Sequence, residues 1–431
     1  MTKKKEREKD SDETLAEEPE AAIKTHAPPK PKAKSPVKRD PAFASGFAAA
    51  GKMVDSVFAK AKKPAPYVPI SSREMRESLP HISTGSFILD YLIGGEPNDL
   101  GVPPCPGWPL GRVVQIYGPE SCGKTTFALM ACAEAARRGW PSVYIDWEHA
   151  IVPDYARRLG VPIDDESLFR LYQPNTLEDG IQIAYVFASF KVPVMVFDSV
   201  GFAVPTIEHD RALADRDGSA GQPGIVARAW SRELPQLSAE LYNAKTLLIA
   251  ISQLRSSINA GGMGPADTIQ GGMVWKYVSS LRIRFKKIRV EEEARFNPLK
   301  GISENMTVST EIEAKIDKTK IGSSQGRKAS FMISFGIGVD NIRSAFDMLL
   351  RNKRIRQNGA FYDWVSPDGT VVKGQGKKAF FSEIRGKGYE AAFSAEARGL
   401  IQTEVKMAES DAEAAEEGSE EDLAETIRNL D

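Results

Sequence analysis

Short apolar runs alternate with stretches of helical spacing through the middle of this chain. "RVVQIY", "PSVYID", "VPVMVFD" and "TLLIAISQ" have strand length and strand composition, and "TFALMACAEAARR" (126–138) reads as a helix. From residue 81 to about 335 this alternation predicts an α/β fold with a mostly parallel central sheet. "SSLRIRFKK", "EIEAKID" and "ASFMISF" then alternate in polarity, with a flexible "IGSSQGRK" between the last two. They predict an antiparallel extension at the sheet edge.

The flanks differ from this core. Residues 1–40 mix Lys, Glu and Pro with almost nothing to bury, which predicts a disordered arm. Between 41 and 63, Phe43, Phe47, Met53, Val54, Val57 and Phe58 recur at near-helical spacing, behind Asp40 as N-cap and Pro41 in the first turn. A helix isolated between that arm and a Pro-rich linker (64–80) has no core of its own and must pack on its own domain or on a neighbouring subunit. After the core, residues 336–405 read as a small basic α/β module and 406–431 as an acidic disordered tail.

At 431 residues, 42% hydrophobic and 27% charged, the chain has room for one large domain and a smaller one. No apolar run approaches the ~20 residues that a membrane span needs, and the basic N-terminus lacks the apolar segment of a secretory signal. Three cysteines, Cys105, Cys122 and Cys132, stand at no metal-ligand spacing, and their odd number fits a reducing, intracellular compartment. The net charge of −1 hides an asymmetry: residues 407–431 hold ten acidic residues against Arg428 alone. A basic body with an acidic tail suggests either a polyanionic partner or simply two solvated charge sets. The tail is expected to compete with such a polyanion for the module's Lys353, Arg354, Arg356, Lys373, Lys377 and Lys378.

The chemistry centres on "GPESCGKTT". Gly118, Gly123, Lys124 and Thr125 fit G-x-x-x-x-G-K-[ST] between a predicted strand and a predicted helix. Such a loop (Pro119, Glu120, Ser121, Cys122 and Thr126 complete it) cradles phosphates on backbone N–H groups. Lys124 neutralises them and the Thr125 hydroxyl holds magnesium. Asp198, ending an apolar strand, suits a second, water-mediated magnesium contact. Cys122, at a helix N-terminus beside Lys124, is expected to have a lowered thiol pKa and raised reactivity, the alternative being a packed, inert thiol. Glu148, beyond another strand end, either polarises an attacking water as general base or is an ordinary surface carboxylate. Gln253 either senses the γ-phosphate or caps its strand. His149 reads as structural.

"ISTGSFILD", "GRVVQIYGPESCGKTT", "YIDWEHA", "DYARRLGV", "VFDSV", "TLLIAISQLR", "DKTKI" and "GAFYDW…VVKGQGK" follow one another in the order and spacing that characterise the bacterial RecA family. The chain resembles a RecA-type homologous recombinase over about residues 81–385, and its unusual arm suggests a phage-encoded version. The resemblance implies a RecA-like P-loop ATPase core, ATP and Mg2+ as cofactors, and residence in the cytoplasm of a bacterial or phage-infected cell. It implies that Glu148 is the catalytic glutamate, Asp198 the magnesium-site aspartate and Gln253 the glutamine that couples γ-phosphate to the DNA loop. Tyr155 then stacks on adenine, and Lys318 and Lys320 reach ATP from the adjacent subunit. Segments 209–224 and 255–272 become DNA-binding loops. Arg228, Ser231, Arg255, Gly271 and Gly272 correspond to single-stranded-DNA positions, and Lys286, Lys287 and Lys315 to a secondary DNA site.

Three positions depart from the family pattern. Pro235 stands where a phosphate-contacting Arg is usual, Val152 replaces an Asp near adenine, and Cys122 replaces a Ser. The stretch at 94–111 also lengthens a loop. The expectation is therefore an ATP-dependent recombinase that forms helical filaments on single-stranded DNA and exchanges strands with homologous duplex DNA, with the helix near 41–62 as polymerisation arm. A RecA-fold hexameric helicase and a non-catalytic filament regulator are the alternatives. The first should lack the "DKTKI" pair and the second should lose the chemistry that Lys124, Glu148 and Asp198 supply.

Overall fold

The structure, a computed structural model, describes residues 49–54, 56, 59–60, 78–95, 97, 103–208, 224–256, 267–297 and 302–400. The arm forms a unit separate from residues 69–408. Within it, residues 49–54 are helical with Met53 and Val54 exposed. Asp40, Pro41, Phe43, Phe47, Val57 and Phe58 lie outside the described residues, as do the first 40 residues and the acidic tail.

The larger unit opens with β1 (His81–Ile82) and α1 (Phe87–Gly94). The Ser86 side chain caps α1 by accepting from Leu89 N at 3.3 Å, satisfying a donor that the helix start leaves open. The lengthened 94–111 loop returns as β2 (Trp108–Pro109), which pairs with β1 and buries Trp108 edge-on to Phe127. Its end is therefore core rather than surface embellishment.

The classical alternation follows: β3 (Val113–Gly118), α2 (Lys124–Arg137), β4 (Ser142–Asp146), α3 (Pro153–Arg158), β5 (Phe169–Tyr172), α4 (Leu177–Ser189) and β6 (Val194–Asp198). α5 (Ile225–Ala244), β7 (Leu247–Ser256), β8 (Asp267–Ile269), α6 (Val274–Val278), β9 (Leu281–Asn297), β10 (Ile302–Thr319), β11 (Lys328–Ser334) and β12 (Gly338–Val339) complete it. The main sheet runs β12-β11-β10-β9-β3-β7-β6-β4-β5. From β9 to β5 every neighbouring pair is parallel, whereas β10, β11 and β12 extend the sheet antiparallel. The expected fold class is what the chain adopts.

Parallel strands need covering on both faces. One face packs on α2 through Val114, Ile116, Ile249 and Ile283 around Phe127. The other packs on α4, α5 and α6 through Val143, Phe197, Trp230 and Trp275. Two expectations change. The "SSLRIRFKK" and "EIEAKID" strands are far longer than their alternating cores, because Glu291–Asn297 pairs with Ile302–Ser309 as a two-stranded ribbon. The "IGSSQGRK" segment is a closed turn, with Gly326 N donating to Ile316 O at 2.7 Å and Ser324 buried.

The C-terminal residues carry α7 (Asn341–Arg351), the antiparallel β13 (Ile355–Asn358), β14 (Phe361–Val365) and β15 (Val371–Gln375), and α8 (Gly376–Gly386). Phe346, Trp364, Phe380 and Phe393 centre a third hydrophobic cluster there. Among the described residues no helix is long and apolar enough to cross a membrane.

Candidate nucleotide site

β3 ends at Gly118, and the loop that follows closes at Gly123, whose φ of 81° belongs to the left-handed region. A Cβ at Gly123 would also collide with the Ile333 side chain. Lys124 therefore enters α2 with its chain folded back over the loop. Its ammonium donates to Gly118 O at 3.1 Å and Pro119 O at 2.6 Å. The cleft has a volume of about 320 Å³, and its lining includes the loop residues 120–126 with Glu148, Asp198 and Gln253.

Asp198 closes one wall. Its Oδ2 accepts from the Thr125 hydroxyl at 2.8 Å and from Tyr144 OH at 2.6 Å. Burial pushes the carboxyl up to about 6, against the pull of those two hydrogen bonds. Its other oxygen, Oδ1, is buried with no hydrogen-bond partner. An orphaned carboxylate oxygen beside a threonine hydroxyl is an oxygen donor set suited to a hard divalent cation, so these residues fit magnesium.

Glu148 sits past the end of β4, where its backbone N–H reaches Asp146 Oδ1 at 3.1 Å. Gln253, on β7, donates from Nε2 to both Glu148 carboxylate oxygens, at 3.1 and 3.2 Å. The strand does not stop at Gln253, as its sequence suggested, but continues to Ser256. Gln253 O accepts from Gln270 N at 3.1 Å, which ties the strand to the chain just past β8. The glutamine thus links Glu148 to the second glycine-rich segment. His149 is exposed, with φ 53° at the turn. Tyr155, on α3, shares a 2.8 Å hydrogen bond with Thr126 Oγ1, and Val152 is exposed at the N-cap of that helix.

Cys122 departs from expectation. The helix N-terminus and Lys124 do favour its thiolate, but burial outweighs both and pushes the thiol above its ordinary value. The side chain is fully buried and donates to Pro119 O at 2.9 Å.

Lys318 and Lys320 do not line this cleft. Lys318 Nζ donates to Lys276 O and Tyr277 O at 2.6 and 3.0 Å, and Lys320 Nζ to Tyr277 O at 3.1 Å. Burial, reinforced by Lys320, Arg282 and Lys276, lowers the Lys318 amine to about 8.

Arg228 and Ser231 are exposed along α5, with Ser231 Oγ donating to Ala227 O at 2.7 Å. Gly271 and Gly272 follow β8 with positive φ, and a Cβ on Gly272 would meet Ala227. The glycine turn and the Arg228 turn of α5 are therefore brought together. Arg255 pairs through its backbone with Thr268. Most of both expected DNA loops, residues 209–223 and 257–266, lies outside the described residues. Pro235 occupies the interior of α5 on an exposed position. Lys286 and Lys287 sit on β9 opposite Glu313 and Ile312, and Lys315 sits on β10 opposite Arg284 with an ion pair to Asp317 at 3.2 Å. Sequence reasoning missed Tyr144; its signal was a hydroxyl between the apolar Val143 and Ile145 of a buried strand, which must find a partner when buried.

Comparison with known proteins agrees with this geometry. Residues 58–340 match the family model for the RecA N-terminal domain. Protein RecA of Saccharopolyspora erythraea is 36% identical over 306 residues, covering 71% of this chain and 79% of that protein. Protein RecA of Borrelia turicatae is 35% identical over 69% of this chain and 74% of that protein, and that of Borrelia hermsii 35% over 69% and 75%. With more than half of its length inside the family model, the chain belongs to the family of RecA-type recombinases.

Proposed function

We propose that this protein is a DNA-dependent ATPase that assembles as a helical filament on single-stranded DNA, pairs it with homologous duplex DNA and exchanges strands in recombination and repair. The observation that carries the reading is a division of labour. Phosphate, metal and water-activating groups share one cleft, while Lys318 and Lys320 stand outside it. A nucleotide completed by lysines from another copy makes nucleotide state a control on assembly.

In this reading Lys124 and the loop from Gly118 to Thr126 hold the phosphates, and Tyr155 supports the base. Thr125 and Asp198 hold Mg2+, which would neutralise charge on the phosphates. Glu148 withdraws a proton from the attacking water, and Gln253 holds that carboxylate and reports on it. Arg228, Ser231, Arg255, Gly271 and Gly272 contact single-stranded DNA. Lys286, Lys287 and Lys315 serve the second strand. The arm helix (41–63), joined through 64–80 to the core (81–335), mediates polymerisation, and the module at 336–405 binds duplex DNA. The setting is the cytoplasm of a bacterial or phage-infected cell.

Negative-stain microscopy with single-stranded DNA and a non-hydrolysable ATP analogue tests this reading. Helical filaments that require both are expected. Closed rings would favour a helicase, and no assembly at all would remove the recombinase reading.

A further inference from the structure

A row of polar side chains crosses four strands of the main sheet. Lys318 on β10 stands opposite Arg282 on β9, and Arg282 stands opposite Gln115 on β3. Arg282 Nε donates to Gln115 Oε1 at 2.7 Å, and Gln115 Nε2 donates to Ser252 Oγ on β7 at 2.8 Å. Gln115 and Ser252 are fully buried and Arg282 nearly so. Ser252 directly precedes Gln253, whose amide grips Glu148.

The row interrupts an otherwise apolar face. Val113, Leu248 and Ala250 pack apolar on the same face, and a buried polar chain is favourable only when every member is satisfied. The Arg282 guanidinium lies 4.7 Å from the Tyr117 ring centre and has no carboxylate in ion-pair range among the described residues. Its charge adds to that of Lys318, Lys320 and Lys276. Gln115 is the joint between this cation cluster and the strand that carries Gln253. Its amide is used at both ends, so a shift of Arg282 cannot occur without breaking a bond or moving Ser252. Close-packed interiors transmit such displacements.

We propose that Gln115 is a positioning residue that couples the cation cluster around Lys318 and Lys320 to the Glu148–Gln253 pair of the same chain. An anion reaching the cluster then biases the geometry of the pair. This inference rests on the reading above, in which that anion is the nucleotide of the neighbouring subunit. Each subunit would sense its neighbour's nucleotide and adjust its own water-activating pair, which makes turnover cooperative along the filament.

The test is the ATP dependence of DNA-stimulated hydrolysis in Gln115→Met, Ser252→Ala and Gln115→Glu, with filament formation scored in each. Gln115→Met keeps the side-chain volume and removes both bonds. Its Hill coefficient is expected to fall to about 1, with turnover at saturating ATP little changed. Ser252→Ala should lower it in the same direction. Gln115→Glu retains an acceptor for Arg282 and for the Ser252 hydroxyl, and should restore cooperativity. A merely structural role would lower the melting temperature and leave the Hill coefficient intact. Should Gln115→Met fail to fold, Ser252→Ala decides. Filaments that form normally with an unchanged Hill coefficient in both variants, or with a coefficient of 1 in the unsubstituted protein, overturn the relay alone. Absence of filaments in the unsubstituted protein removes the functional reading and the relay with it.

Discussion

Around Lys124 the chain gathers charges of both signs and satisfies most of them. The ammonium rests on two carbonyl oxygens, Glu148 is held by Gln253, and Asp198 accepts from Thr125 and Tyr144. Around Lys318 it gathers cations. Lys318, Lys320, Lys276 and Arg282 repel one another with no ion pair to a carboxylate among the described residues, and the two reaching lysines end on the carbonyl oxygens of Lys276 and Tyr277. Like charges drawn together while one is partly desolvated oppose folding. Such a cluster gains when an anion arrives, and a nucleotide held at another copy's Lys124 is an anion of the right chemistry. In the proposed function the first region holds phosphate within one chain, and the second responds to phosphate supplied from outside it.

The largest effects should come from disabling the first region. Lys124→Ala is expected to abolish nucleotide-dependent assembly. Glu148→Gln should keep ATP binding and filaments while slowing turnover by about 100-fold or more, because only water activation is lost. Negative-stain microscopy scores assembly in each variant, and single-turnover hydrolysis on DNA measures the rate of the chemical step. Normal turnover in Glu148→Gln would take that glutamate out of the mechanism.

Disabling the second region should separate binding from turnover. Lys318→Ala and Lys320→Ala should purify folded and bind ATP as monomers, since neither side chain lines the cleft, yet fail to hydrolyse it on DNA. Mixed with Lys124→Ala, either should recover part of the activity if, as proposed, one subunit supplies the cleft and its neighbour the lysines. Mixed filaments that stay inactive at every ratio would erase the distinction between the two regions.

The two regions were not equally legible in the sequence. The cleft announces itself locally: the glycine spacing of the loop, and carboxylates at the ends of apolar strands, are marks that a single strand or turn can carry. The lysine edge is made by register. Lys318 meets Arg282 across the register of two successive strands, and Arg282 meets Gln115 on a strand far away in the chain. Only the resemblance to a family singled out Lys318 and Lys320, and nothing marked Gln115. The ribbon at 291–309 was illegible for another reason. Its charged residues hide the alternation that a half-buried strand shows, because much of it has no core to face. Cys122 failed by omission of a magnitude: the electrostatic pull on its thiolate is real, but burial is larger.

That thiol gives a third, smaller test of how closed the first region is. A side chain buried in the loop, with its ionisation suppressed, should be alkylated by iodoacetamide at neutral pH at least about tenfold more slowly than an exposed cysteine. Mg-ATP should add little further protection. Peptide mass spectrometry after timed quenching reads both. Rapid modification that Mg-ATP suppresses would mean that the loop opens far enough to expose Cys122 before nucleotide binds.

The smallest effect concerns a third set of cations, on the C-terminal module, and asks whether any polyanion can use them. Four of the six expected to attract the acidic tail already have carboxylate neighbours. Arg354 pairs with Glu396, Lys373 with Asp363, Lys377 with Asp347 and Lys378 with Glu293. Lys353 and Arg356 have no ion pair among the described residues. Exposed pairs of this kind are weak, so the face keeps some attraction for a tethered tail of charge −9, but less than six open cations would give. Removing residues 407–431 should therefore strengthen duplex binding by a few-fold rather than by orders of magnitude, roughly the effect of 1 kcal/mol. The gain should be largest at low salt and shrink as salt rises, because screening weakens both the tail's hold and the DNA contacts it competes with. Salt titrations of duplex binding by the full-length and truncated proteins measure the difference. Curves that coincide throughout would leave the tail no hold on this face. A gain that persists undiminished at high salt would mean that the tail acts by something other than charge.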